Sequence, residues 1–348
     1  MKLSVIMPCY NAACDLEKAV ESVFSGGVED MELIVIDDAS CDSSPELLSR
    51  LREREGRIVA VCNEKNLGVG RVRNMGLSLA RGEYVAFCDC DDTVPEGAYM
   101  NMLSDIGNND IVIGGYRLLS DAGRDDTVLL SGRQRRELFY ALFSGSSLWH
   151  KMIKRSFIEE HSLAFPEDVT LGEDVIFLSR LFTHTPSFAV TDAVVYNYYN
   201  RTERCESSLT HRYTLEKFKE HIGCRERMLE ITEPVFPEAR DYIYSHFVEY
   251  LDRFLMHINP SEREEAFLIF KEYMSRYPYD DRPELFLALT GVPYGVFKSA
   301  SAYTYMQAKA ELLARERVLF EFSTGRIGLR WVLKYVFAWI RYKLSGRK

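Results

Sequence analysis

Three short segments hold the residues best suited to chemistry. Pro8-Cys9-Tyr10-Asn11, Asp37-Asp38-Ala39-Ser40 and Asp89-Cys90-Asp91-Asp92 each follow a short apolar run, and together they gather carboxylates, an amide and hydroxyls. Like charges brought together are costly unless a cation or hydrogen-bond donors neutralise them. Carboxylate oxygens suit a hard divalent ion, Mn2+ or Mg2+, of the kind that bridges protein acids to a substrate's phosphates. For any single one of Asp38, Ser40 or Asp92 a helix N-cap is the simpler explanation, since each precedes a helical pattern. Capping does not explain several acids at one edge.

Two further segments carry charge at helix starts. Asn66-Leu67-Gly68-Val69-Gly70-Arg71-Val72-Arg73-Asn74-Met75-Gly76 offers exposed backbone N–H groups, the positive end of a helix dipole and two guanidinium groups, which suit an anion or a nucleobase carbonyl. A Gly-rich turn with a solvated arginine face is the plainer alternative. As a dinucleotide fingerprint the segment fails, because Arg73 stands where the third glycine belongs and the third strand, not the first, precedes it. Leu171-Gly172-Glu173-Asp174 places adjacent acids in a first helical turn, where the dipole favours them in any case. Folded over the acidic edge, one of them could serve as general base toward an acceptor hydroxyl.

The elements that must position these groups are legible as alternation. Leu3–Met7, Glu32–Ile36, Ile58–Cys62, Tyr84–Cys88 and Ile111–Ile113 read as strands, with helices around 15–25, 44–55, 70–81 and 95–105. Unbroken Val/Ile-rich runs suit strands buried on both faces, and the βαβ spacing implies a mainly parallel sheet whose ligands bind at the carboxyl ends of the strands. Residues 116–145 read as a loop or β-excursion leading to a helix over 133–143. A helix over 151–161, another beginning near Gly172, and one or two strands through Phe188–Tyr199 follow. Beyond about 212 the pattern is almost wholly helical, broken at Pro234, Pro237, Pro260, Pro278 and Pro293.

Composition narrows the class. The 348 residues carry a formal charge of −9 and 47% hydrophobic content, an ordinary globular balance that argues against nucleic acid as a partner. Leu138–His150 and Leu285–Phe297 are the longest uncharged stretches and are too short for the 18–20 or so apolar positions of a membrane span. The start, Met1-Lys2-Leu3-Ser4-Val5, reads as a strand and not as a secretion signal, so a cytoplasmic location is expected. Eight scattered cysteines without a CxxC pair, and histidines without HxxxH spacing, point to reduced thiols and no zinc site.

Taken in order, Ser4–Asn11, Ile34–Ser40, Asn66-Leu67-Gly68 to Asn74, Gly82–Asp92 and Gly172-Glu173-Asp174 resemble the family 2 glycosyltransferases, over roughly residues 3–210. The resemblance implies an α/β fold of the GT-A type, a mostly parallel central sheet flanked by helices. It also implies a nucleotide-diphospho-sugar donor, a divalent metal (Mn2+ or Mg2+) and inversion at the anomeric centre. Pro8, Tyr10 and Asp38, with Asn11 beside them, match positions lining the nucleoside pocket, and Asp38 is expected to accept from the base. Arg73 matches the arginine that reaches the base from the third βα loop. Asp91 matches the metal-binding aspartate of the DxD motif, Asp89 and Asp92 flank donor sugar or metal, and Asp174 matches the general base of the ED motif. Trp149-His150-Lys151-Met152-Ile153-Lys154-Arg155 is similar to the family's Trp-Asn-Lys-Leu-Tyr-Lys-Arg, with His150 replacing Asn and Lys151 expected at the donor. Tyr198-Tyr199-Asn200-Arg201 with Ser207-Ser208 resembles the segment that closes these domains, with Arg201 expected at the diphosphate. A buried Trp and a solvated basic face are the alternatives for these last two segments.

The expected organisation is a catalytic domain over 1–211, with a nucleotide-binding half to about 115 and an acceptor half after it, then a helical domain over 212–322 and a basic amphipathic helix over 323–348. Tyr242, Tyr244, Phe247, Tyr250 and Phe254 suit a core or a contact between copies of the chain. The last 26 residues hold seven Lys and Arg and no acid, with Arg326, Arg330, Lys334, Arg341 and Lys348 on one helical stripe. That suits either a helix on the anionic inner face of a membrane or one docked on protein. The function expected is transfer of a sugar, from a UDP-sugar first of all, to a saccharide or lipid-linked saccharide in surface polysaccharide assembly. Two rivals stand beside it. A nucleotidyltransferase would need a Gly-rich basic loop after the first strand, and Pro8–Cys14 has none. A catalytically silent scaffold would not need both Asp91 and Asp174.

Overall fold

A computed structural model describes residues 1–120, 125–132, 136–143, 147–200, 213–281, 286, 290, 292 and 294–306. They form two compact units. One comprises the described residues of Met1–Arg212 with Gly223–Ala239, the other Tyr213–Ile222 with the described residues from Arg240 on.

The first unit opens with β1 (Leu3–Cys9), α1 (Leu16–Ser25), β2 (Met31–Asp37), α2 (Ser44–Arg54), β3 (Ile58–Cys62), α3 (Val69–Leu79), β4 (Tyr84–Phe87) and α4 (Ala98–Ile106). All seven residues of β2 are buried, as the run Leu33-Ile34-Val35-Ile36 requires of a strand covered on both faces. The four strands pair in parallel in the order β3-β2-β1-β4, with Cys9 level with Asp37 and Asp37 level with Cys62. The chain leaves β1 toward β2 on one side and reaches β4 on the other, so a crevice opens at their carboxyl ends. Tyr10-Asn11 and Asp89 emerge there.

The opposite edge is tied by a buried carboxylate. Glu32 in β2 accepts from Ser4 Oγ at 2.7 Å and from the Arg81 backbone N–H and guanidinium at 2.6–3.0 Å. Burial alone would raise this carboxyl, but the bonds from Arg81 and Ser4 outweigh it and hold the group below its ordinary value.

The sheet continues through β5 (Ile111–Ser120), β6 (Asp126–Val128), β7 (Lys151–Lys154) and β8 (Phe188–Asn200), with α5 (Leu138–Phe143), α6 (Arg155–Glu160) and α7 (Glu173–Thr183) between them. Its full order is β3-β2-β1-β4-β7-β5-β6, with β8 parallel to β5. The helix expected over 151–161 is corrected here. Lys151–Lys154 is an antiparallel strand filling the slot between β4 and β5, where Met152 and Ile153 are fully buried, and only Arg155–Glu160 is helical. Backbone partners on both sides decide the matter over the local helical preference. The last expected strand, through Phe188–Tyr199, is one long element with register irregularities opposite Ile113 and Gly115. Of the helix expected over 133–143, residues 138–143 form α5, while 133–135 lie outside the described residues.

In the second unit, the start of α8 (Leu215–Thr232) accompanies α9 (Ala239–His257), α10 (Arg263–Ser275) and α11 (Tyr294–Ser299). Tyr244 stacks on Tyr273 with ring centroids 4.9 Å apart, and the Tyr305 hydroxyl donates to buried Asp252. Tyr242, Tyr244 and Phe254 are core residues. Among the described residues no helix is long and apolar enough to cross a membrane.

Candidate active site

The loops at the carboxyl edge of β1, β2 and β3 are laced to one another by side chains. Asn11, in the left-handed region at φ 52°, donates its backbone N–H to Ser40 Oγ and accepts from the Cys41 N–H, each at 2.8 Å. Asp38 is buried, and its carboxylate accepts from the backbone N–H groups of Leu67 and Gly68 at 2.9 Å and from Asn63 Nδ2 at 2.8 Å. It thus secures the start of α3. Tyr10 is exposed beside this lacing, and Pro8 lies in β1 level with Ile36. Asp37, which the motif reading passed over, has one buried oxygen accepting from the Ser40 N–H while its Oδ1 has no protein partner.

The turn after β4 is held from β8. Tyr196 is fully buried; its hydroxyl accepts from the Asp89 N–H and donates to Asp92 Oδ2, each at 3.0 Å, while the Tyr199 N–H donates to Asp92 Oδ1 at 2.8 Å. Burial, then the charges of Asp91 and Asp89, push the Asp92 carboxyl up to about 8 against these bonds. Asp92 therefore anchors the turn, whereas Asp91 is exposed and Asp89 about one-third so. Tyr196 was not read as a site residue; the spacing of Tyr196 and Tyr198 on one face of a strand was the available signal.

The same donor set answers the question of a metal. Asp91 and Asp89 offer carboxylate oxygens, the right chemistry for Mn2+ or Mg2+. Among the described residues no group of three His, Cys, Asp or Glu forms a cage. An ion held by Asp91 would complete its coordination with phosphates and water, as Mg2+ commonly does.

The ED segment is reached through α3. Gly172, in the left-handed region at φ 79°, precedes α7, and an added Cβ there would collide with Cys224 Sγ. Arg73, expected at the nucleobase, joins the two acidic segments: it is buried, one guanidinium nitrogen bonds Glu173 Oε1 and another reaches Asp89 Oδ1 at 3.2 Å. Burial opposes its charge, but Glu173, Asp89 and Asp174 raise its pKa further, so the cation is permanent. The neighbouring Asn74 clamps the Phe165 peptide from both sides, accepting its N–H at 2.8 Å and donating to its carbonyl at 3.1 Å. Phe165 stacks on Phe177 at 4.2 Å and meets Phe87 edge-on, so the loop before Asp174 is packed against β4 and α7.

Asp174 is part-buried and bonds the Val175 N–H at 2.7 Å. Burial first and the charge of Glu173 second push its carboxyl up to about 7, with Arg73, the Val175 N–H and Arg225 opposing. A carboxyl at that value can take a proton near neutral pH. Lys151, expected at the donor, is fully buried: its ammonium donates to the Ser147 carbonyl and to His150 Nε2, each at 2.6 Å, and burial pushes its pKa well down against the pull of Asp174. His150 Nδ1 donates to the Gly114 carbonyl at 2.8 Å, which leaves Nε2 as the acceptor. Arg201, Ser207 and Ser208 lie outside the described residues.

The site therefore brings together Asp89, Arg73, Glu173 and Asp174, sets Asp91 in solvent beside them, and uses Asp38, Asp92 and Lys151 to hold backbone. Comparisons with known proteins bear on what such a site does. Residues 4–159 match the model of glycosyl transferase family 2. The putative glycosyltransferase EpsH of Bacillus subtilis is 28% identical over 235 residues, 64% of this chain and 67% of EpsH. Staphylococcus aureus TarS residues 1–349, solved in complex with UDP-GlcNAc, superposes with a TM-score of 0.63 at 19% identity over 90% of this chain and 92% of that one. The mannosyltransferase PcManGT of Pyrobaculum calidifontis, solved with GDP-Man and Mn2+, gives a TM-score of 0.52 at 18% identity over 89% and 86%. At those identities the two structures establish the fold alone.

Proposed function

Because this chain carries a family 2 glycosyltransferase domain, we propose that it is an inverting transferase moving a sugar from a nucleotide-diphospho-sugar, with a UDP-sugar the first candidate, to a hydroxyl of a saccharide or lipid-linked saccharide during assembly of a bacterial surface polysaccharide. The observation that carries this reading is the ion network through Arg73, which ties the Asp89 turn and the Glu173-Asp174 turn into one unit. A donor group and an acceptor group held on those turns would meet at a fixed separation.

In this reading Tyr10, Pro8, Asn11 and the Asp38-secured loop receive the nucleoside, and Asp91, with Asp89 beside it, would hold a divalent ion. That ion would offset the charge on the departing diphosphate. The acceptor hydroxyl attacks the anomeric carbon from the face opposite the leaving group, and the bond to the diphosphate breaks as the new glycosidic bond forms. Asp174 takes the hydroxyl proton. Its carboxyl, held near 7, is ionised often enough to accept that proton and basic enough to keep it. Arg73 stays charged throughout and keeps Glu173 in its ion pair.

Support for a UDP donor comes from the UDP-GlcNAc complex of TarS, and support for a metal from the Mn2+ complex of PcManGT. Titration calorimetry with UDP, with and without Mn2+, and with GDP as control, tests the donor site. Metal-dependent UDP binding that exceeds GDP binding is expected; GDP preference would overturn the donor class, and no nucleotide binding would favour a silent scaffold.

Residues 323–348 lie outside the described residues, and their seven basic side chains without an acid are read as a contact with anionic lipid headgroups. A chain lacking them should fail to co-sediment with anionic liposomes that capture the full chain; equal sedimentation of both would remove the membrane from the account.

A further inference from the structure

The turn that carries Asp174 is braced by a segment remote in sequence from every motif discussed so far. Cys224 and Arg225 lie on α8 within Gly223–Ala239, which clusters with the first unit, and both are buried. Cys224 Sγ lies 3.7 Å from the Gly172 carbonyl and occupies the space a Cβ at Gly172 would need. Arg225 extends a nitrogen to 3.9 Å from that sulfur. Three residues along the helix from Cys224, Arg227 donates to both carboxylate oxygens of Asp168 at 3.1 and 3.0 Å, pinning the loop that leads into Gly172. Farther on, Phe236 stacks on Phe139 with centroids 4.6 Å apart and meets Phe182 of α7 edge-on, so the segment is anchored on both sides of the Asp174 turn.

We propose that Cys224 and Arg227, with Arg225 beside them, position Asp174 for catalysis, so that the catalytic centre is supported by a helix beyond the 1–211 segment expected to hold the catalytic domain. The inference rests on the reading of Asp174 as general base. None of the three touches a reacting atom in this account. Cys224 and Arg227 set where the Gly172-Glu173-Asp174 turn stands, and Arg225 is a buried positive charge against the Cys224 sulfur that touches it. The charged groups acting on Asp174 are then Glu173 on its own helix, Arg73 from α3, Lys151 from β7 and Arg225 from α8, and Arg225 is among those that keep its carboxyl from rising further.

The sign of the effect follows. The base must be ionised, so the rate rises with pH through its pKa. Removing a nearby cation raises that pKa and moves the acid limb of the rate profile to higher pH, by on the order of one pH unit. The test is the pH dependence of UDP release by the full chain, with Mn2+ and UDP-glucose, UDP-galactose and UDP-N-acetylglucosamine as donors, for wild type, Arg225→Gln, Arg225→Lys and Asp174→Asn. Thermal unfolding and calorimetric UDP affinity are measured on the same samples. We expect Arg225→Gln to fold, to bind UDP within about twofold of wild type and to show the shifted acid limb, with Arg225→Lys restoring most of it. Cys224→Leu, which presses on Gly172, should lower kcat with the UDP affinity unchanged. An unmoved acid limb in folded Arg225→Gln, with Asp174→Asn inactive, would overturn this inference and leave Asp174 as the base. Continued UDP release by Asp174→Asn would remove both.

Discussion

Arg73 on α3 and Glu173 on α7 form a buried ion pair across a hundred residues of sequence, and the second branch of the same guanidinium reaches Asp89. One side chain thereby joins the helix after β3, the turn after β4 and the turn before α7. A buried charge is tolerated only when paired, so the three segments hold one another in place, and the site is as rigid as this network.

Replacing Arg73 by Met should therefore be severe. It leaves Glu173 and Asp89 without their cation, at a cost of about 3–5 kcal/mol for breaking a buried pair. Thermal unfolding should show the loss, and Arg73→Lys should recover little because a single ammonium cannot span both carboxylates. A variant as stable as wild type would deny the network its structural part.

Tyr196→Phe removes one hydroxyl and with it two bonds, to the Asp89 N–H and to Asp92. A loss of about 1–3 kcal/mol is expected from the buried groups left unsatisfied. Since the aromatic ring keeps its stacking on Trp149, the fold should survive while Mn2+-dependent UDP affinity falls. Unchanged affinity would separate the turn's geometry from donor binding.

Asp91→Ala is expected to abolish transfer and to remove the Mn2+ dependence of UDP binding, leaving weak metal-independent binding. The side chain is exposed, so stability should change by less than about 0.5 kcal/mol. Calorimetry with and without Mn2+ decides it: retained metal dependence would move the ion to other residues.

At the far edge of the sheet, Glu32 gives a stability prediction with a definite sign. Its folded-state pKa lies below the unfolded value, so its contribution is present above the unfolded pKa and is lost as pH falls through the folded one. Glu32→Gln should cost about 1–3 kcal/mol at pH 7, with the exposed head of Arg81 contributing little through screened charge. The difference in melting temperature between wild type and variant should shrink as the pH is lowered from about 5 toward 2. A constant difference would assign the effect to packing.

Much of this was legible in the chain. Runs such as Leu33-Ile34-Val35-Ile36 announce doubly covered strands, and the amide after β1 with the acids after β2 and β4 announces the edge where they meet. Lys151–Lys154 reads locally as the start of a helix, because its strand pairing on both sides depends on β4 and β5 being already in place. The work of Arg73, Asp92 and Lys151 was hidden for a related reason. A motif names the residue type at a position, whereas the partner that claims it, Glu173, Tyr196 or His150, is a matter of packing. Cys224 and Arg225 carried no signal at all, since nothing local ties them to Gly172.

A base at Asp174, on a turn tied to Asp89 through Arg73, should be needed for turnover and not for holding the nucleotide. UDP release from UDP-sugars, measured beside UDP affinity for wild type and Asp174→Asn, separates the two. Turnover is expected to fall about a hundredfold or more with UDP affinity within about twofold of wild type. Wild-type turnover in Asp174→Asn would remove Asp174 from the chemistry.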